Sequence, residues 1–151
     1  MPPSPSAACD LARATLAAPG TLLPSAVSGA VLARVLALTP AGSGLFELGR
    51  GIVRDGYRGG GVMRRLIEFG IACAARAGPA TIIGSCLPAH VAFYGRHGFA
   101  PLPGAGLESF PSVGQDGYVL IGYSDRLPEP TQAHVNQLLQ EMRGAGTAPG
   151  R

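Results

Sequence analysis

The chain has 151 residues, with 12 arginines and no lysine against 9 Asp plus Glu; it carries a formal net charge of +3 and is long enough for one packed domain rather than two. No dense basic run accompanies that charge, and no apolar stretch approaches the roughly 18 residues of a membrane span. Three cysteines without a Cys-x-x-Cys exclude a disulfide scaffold or an all-cysteine zinc site. The expectation is a cytoplasmic protein with no nucleic-acid partner and no membrane segment, since Met1-Pro2-Pro3-Ser4-Pro5 also lacks the basic and apolar regions of a secretory signal.

Three prolines in the first five positions predict disorder over residues 1–6, and Ser6 to Ala18 reads as a short helix stopped by Pro19-Gly20. Ala30 to Leu38 is apolar enough to be a strand or a buried helix turn. With Leu45 to Arg54 following after Pro40, Gly42 and Gly44, the pair reads best as two antiparallel strands. In the second, Leu48, Arg50, Ile52 and Arg54 share one face, while Glu47, Gly49, Gly51 and Val53 share the other. Two glycines on one strand face suggest a bulge or a ligand lying close to the backbone.

Gly61 to Ala77 is the clearest helix. Val62, Leu66, Phe69, Cys73 and Ala77 form a stripe predicted to face the core, with Arg64, Arg65, Glu68 and Arg76 in solvent. Gly78-Pro79 stops it, and Ala80 to Ser85 reads as a buried parallel strand, so residues 45–85 form a βαβ unit. Pro88 to His97 predicts a short helix closed by Gly98, and Phe99 to Leu102 an edge strand. Residues 103–117 then read as a loop and Tyr118 to Tyr123 as a strand with Val119 and Ile121 on one face. A last helix opens at Pro130 or Thr131 with Val135, Leu138, Leu139 and Met142 on its apolar stripe, and residues 144–151 are predicted to fray.

The segment Tyr57-Arg58-Gly59-Gly60-Gly61-Val62-Met63 stands between strand and helix. Three glycines let backbone N–H groups converge at a helix N-terminus, which suits a phosphate or pyrophosphate, and Arg58, Arg64 and Arg65 add charge. With no lysine the loop is not a Walker A motif, and Arg64 where a third glycine belongs argues against a dinucleotide fingerprint.

Glu47-Leu48-Gly49-Arg50-Gly51-Ile52-Val53, the glycine loop, and Phe93-Tyr94-Gly95-Arg96-His97-Gly98-Phe99 together resemble the GCN5-related N-acetyltransferase superfamily over about residues 45–102. Arg58 and Gly61 match the loop pattern. Met63 stands where that family has a small residue, and Leu87 and His90 stand where relatives often have Asn and Ala. The resemblance implies a single α/β domain over residues 1–151, with a mixed, splayed central sheet flanked by helices and an abbreviated N-terminal lobe. It further implies acetyl-coenzyme A, or another acyl-coenzyme A, as co-substrate. Gly51, Ile52, Val53, Arg58, Gly59, Gly60, Gly61, Val62, Met63 and Tyr94 would hold the cofactor.

Direct acyl transfer to a primary amine needs a base, because a free alkylamine has a pKa near 10.4, and an acid for a leaving thiol whose pKa is near 8.5. Glu47 is the candidate base, with His90 or water as alternatives, and a salt bridge as its plain structural role. Tyr94 is the candidate acid by the resemblance, and an aromatic core residue otherwise. Main-chain amides around Gly49 to Ile52 are placed to receive the oxyanion. No metal site is expected, since His90 and His97 lack a third ligand at suitable spacing. The alternatives are a non-catalytic acyl-coenzyme-A-binding or regulatory module, or a transferase using a longer acyl donor. A small-molecule or peptide amine is the expected acceptor, and an Ala-rich domain with a short N-terminal part predicts a homodimer.

Overall fold

The computed structural model describes residues 29–49, 53–110 and 114–146. Helix α1 (Gly29–Ala37) leads into strand β1 (Gly44–Glu47), and helix α2 (Val62–Ala74) runs on into a 3₁₀ turn at Ala75–Ala77. Strand β2 (Ala80–Cys86), a 3₁₀ turn at Pro88–His90 and the short helix α3 (Val91–Gly95) come next. Strands β3 (Ala100–Pro101), β4 (Glu108–Phe110) and β5 (Gln115–Tyr123) precede the last helix, α4 (Thr131–Gly146).

The sheet is mixed. β1 lies parallel to β2, β2 antiparallel to β5, and β3 antiparallel to the far side of β5, while β4 pairs with the first residues of β5. The β1–α2–β2 crossover is the βαβ unit predicted from sequence. Its strands are buried because helices cover both sheet faces: Val31 and Val35 of α1 pack on Leu45, Ile83, Val119 and Ile121. Ile67 and Ile71 of α2 and Val135 of α4 pack on Ile82, Leu120 and Phe99 from the other side. The alternation of side chains along β1 and β5 assigns each residue to one of these two cores.

Several expectations are corrected. Residues 29–37 form a helix rather than a strand of a hairpin: Val31 and Val35, four apart, are buried while Ala33 and Arg34 are exposed, a 3.6-residue period within an apolar run whose composition alone fits either element. β1 ends at Glu47, and Val53 and Arg54 lie outside any strand; Arg50, Gly51 and Ile52 lie outside the described residues. The 103–117 segment is not all loop, since β4 and the start of β5 fall inside it, and α4 stays helical to Gly146 where fraying was predicted from residue 144. The predicted helix at 6–18 and the ends 1–6 and 147–151 lie outside the described residues.

The largest correction concerns the face α2 buries. Leu66 and Phe69 are 47% and 53% exposed and Cys73 is exposed, whereas Glu68, expected in solvent, is 3% exposed. The helix has a second apolar series, Ile67, Ile71 and Ala74, which meets the sheet. Among the described residues, no helix is long and apolar enough to cross a membrane.

Candidate functional site

β1 ends before β2 does. Their register stops at Glu47 and Ile83, with the Leu48 N–H donating to the Ile83 carbonyl at 2.9 Å, while β2 continues to Cys86 paired with β5. Gly84 is small for a local reason: a Cβ there would lie 3.0 Å from the Leu48 carbonyl. From Val53 the chain reaches α2 through the turns at 54–61.

The glycine loop is built by backbone geometry. Gly59 and Gly61 have φ of +86° and +76°, where glycine alone is unstrained, and Gly61 caps α2 without any side-chain hydrogen bond. The first amides of α2 therefore point out of the helix end with no side-chain oxygen from the cap residue. Arg58 is tied back by a hydrogen bond from its Nε to the Val53 carbonyl (3.1 Å) and by an exposed ion pair with Asp55 (3.3 Å).

Between this loop, the end of β2 and helix α3 lies a cleft of about 990 Å³. Val53, Arg58, Gly59, Gly61, Val62 and Met63 line one wall, and Ser85, Cys86, His90, Phe93 and Tyr94 line the other. Among the described residues, Arg58, Arg64 and Arg96 face it and no carboxylate lines it. The cleft therefore suits an elongated anion with an apolar segment. Gly60 sits in the same turn outside the lining, its carbonyl accepting from Arg65 at 3.4 Å. Arg65 thus points away from the cleft it was expected to supplement.

Tyr94 is half-buried in the cleft wall, edge-on to Phe93 (5.3 Å between centroids) and to Phe99 (6.4 Å). Burial raises its phenol pKa above the usual 10, and the neighbouring Cys86 raises it further, so the hydroxyl stays protonated through the neutral range. Burial also raises the Cys86 thiol, which argues against a thiolate nucleophile at neutral pH. His90 lines the cleft in the open, while His97 lies under it: buried, edge-on to Phe93, with Nδ1 3.2 Å from Thr131 Oγ1, and with a pKa lowered chiefly by burial. Among the described residues no group of three His, Cys, Asp or Glu side chains is placed to hold a metal ion.

Glu47 is not brought to this cleft wall. The pleat of β1 sends Leu45 to the α1 side and Phe46 to the α2 side, so Glu47 shares the α1 side. Its carboxylate reaches along the strand toward Gly49, where a Cβ would lie 3.7 Å from Oε1, in keeping with the predicted sharing of one face. Gly51 and Ile52 lie outside the described residues.

Sequence reasoning passed over Arg96 as a site residue. It faces the cleft from just beyond α3, with its guanidinium 5.7 Å from the Phe93 ring, and its place directly after Phe93-Tyr94-Gly95 was the available signal. Comparison of the chain with family models, with curated proteins and with solved structures finds no match.

Proposed function

We propose that the chain is an N-acyltransferase of the GCN5-related type that moves an acetyl group from acetyl-coenzyme A to a primary amine. The observation that carries this reading is the convergence, on one cleft with no carboxylate among its described lining residues, of the glycine loop at the mouth of α2, the arginines Arg58, Arg64 and Arg96, and the protonated phenol of Tyr94. The cofactor's pyrophosphate sits on the amides of residues 59–63, where the α2 dipole favours negative charge. Its pantetheine arm runs past Ser85 and Cys86 at the end of β2, toward Tyr94.

In the reaction the neutral amine attacks the thioester carbon, the tetrahedral intermediate collapses with loss of the C–S bond, and the departing sulfur takes the Tyr94 proton. The amine proton goes to Glu47, directly or through water. Glu47's place on the α1 side also supports a second reading, a module that binds acyl-coenzyme A without turnover. Donor length separates a third, since the wall of Val53, Met63, Leu87 and Phe93 leaves room for a longer acyl chain.

Thermal-shift measurement with acetyl-coenzyme A, longer acyl-coenzyme A esters, ATP and NAD tests the cofactor. A ligand that binds the folded chain raises the melting temperature by mass action, with the logarithm of its concentration over Kd once the site is filled. Stabilisation by the coenzyme A esters alone is expected, and equal stabilisation by ATP or NAD overturns the reading. Saturation by acetyl-coenzyme A without turnover on a broad amine panel selects the binding module instead.

A further inference from the structure

Helix α2 opens with two cations and no anion. Arg64 and Arg65 stand in its first turn, where the helix dipole opposes positive charge, and no acidic residue shares that turn. Arg65 is drawn aside to the Gly60 carbonyl. The counter-charge of Arg64 lies one turn further in, at Glu68, which is only 3% exposed. Acyl transfer makes no direct use of this buried carboxylate. Its two oxygens are divided: Oε1 faces Arg64 Nε at 3.3 Å, and Oε2 meets Nδ1 of His134 on α4. The arginine is divided in turn. Its Nε is buried on the Glu68 side, in ion-pair rather than hydrogen-bond geometry, while the far end of the guanidinium reaches the cleft, with Nη2 3.8 Å from where a Cβ on Gly61 would stand.

We propose that Glu68 is a positioning residue for the cleft: anchored by His134, its carboxylate turns the Arg64 guanidinium toward an anion seated on the glycine loop. A planar guanidinium can be held at one edge and bind at another, which a point-charge ammonium cannot do. The carboxylate engages the inner edge, at Nε, and so does not compete for the edge beside Gly61. Without it the side chain regains its rotamers, and the helix dipole drives the charge off the loop. A buried ion pair is weak ground for stability, and here it fixes a direction. The inference rests on the anion end of the transferase reading, the pyrophosphate on residues 59–63, and not on the acyl chemistry.

Calorimetric titration of the full chain with acetyl-coenzyme A and with inorganic pyrophosphate tests it. Arg64→Gln should weaken both about tenfold, the size of one charge-assisted hydrogen bond. Glu68→Gln, which keeps the shape of the side chain, should weaken both about three- to fivefold, and by nothing further in the Arg64→Gln background. A loss acting through the fold would persist in that background. Arg64→Lys, at a half-exposed position, tests the same point with the buried carboxylate intact, and should bind closer to Arg64→Gln than to wild type. A Glu68→Gln variant with unchanged or tighter binding overturns the proposal, as does an equal Glu68→Gln loss in both backgrounds, or an Arg64→Lys variant that binds as well as wild type. Pyrophosphate bound with the expected coupling, but no acetyl-coenzyme A, supports this inference and overturns the transferase reading; a chain that binds neither overturns both.

Discussion

Two hollows flank helix α2, and their linings differ in charge. Among the described residues, the cleft at its N-terminus is lined by three arginines and no carboxylate, whereas the groove along its side has Arg65 and Glu141 over apolar walls. Arg64 borders both, and its ion pair with Glu68 is directed to the groove's floor. An excess of one charge sign beside converging N–H groups selects a small polyanion. One helix thus borders two hollows of different charge, with Arg64 common to both.

The largest expected effect is in the cleft. If Tyr94 donates the proton to the leaving sulfur, Tyr94→Phe should lower kcat by about a hundredfold or more, the usual contribution of a general acid, with little change in acetyl-coenzyme A affinity. The wild-type rate should also fall on the alkaline side only above the ordinary tyrosine range, because the phenol pKa is raised. Steady-state kinetics across pH checks both; an unchanged kcat in the variant removes Tyr94 from the chemistry.

Next in size is the floor of the groove. Glu68→Leu removes the buried carboxylate from Arg64 and His134. Those partners are each about 40% exposed (43% and 42%) and can rehydrate, so the loss should be about 1–3 kcal/mol rather than that of a fully buried pair. Urea unfolding measures it, while acetyl-coenzyme A affinity, which Glu68 reaches only through its ion pair with the cleft arginine Arg64, should change less. A loss of cofactor binding as large as the loss of stability would mean that the two hollows are one coupled site.

The smallest effect concerns the layer under the cleft. His97 has a lowered pKa in the fold, so the unfolded chain binds its proton first as pH falls below about 6.5. The stability tied to neutral His97 is complete above that pH and is lost as pH drops through the lowered folded value. The stability difference between wild type and His97→Gln should therefore narrow from pH 7 to pH 5. A constant difference would place His97 in contact with water.

The βαβ unit, the short helix ending at Gly98 and the last helix were legible because each combines a strong period with an unambiguous stop: Gly78-Pro79, Gly98 with φ of +96°, and the Leu127–Pro130 segment before Thr131. A Cβ on Gly98 would also press within 2.8 Å of Leu127, so that stop is enforced by packing as well. The left-handed turn at Gly59 and Gly61 was legible because positive φ and missing side chains are local properties. Arg96 was not, since its approach to the cleft depends on how α3 is set against β2.

What the sequence alone determined is which segments are helices and strands wherever period and breakers agree, and where backbone amides gather at Gly59 to Gly61. Only the tertiary structure decided which of two apolar series on α2 is core. Val62-Leu66-Phe69-Cys73 and Ile67-Ile71-Ala74 are equally good helical stripes, and periodicity carries no information about which one meets the sheet. The register of β1 on β2 made that choice, turning Phe46 and Leu48 toward Ile67 and Ile71. It thereby left Phe69 outside, buried Glu68, and set Glu47 on the opposite side of the sheet from Tyr94.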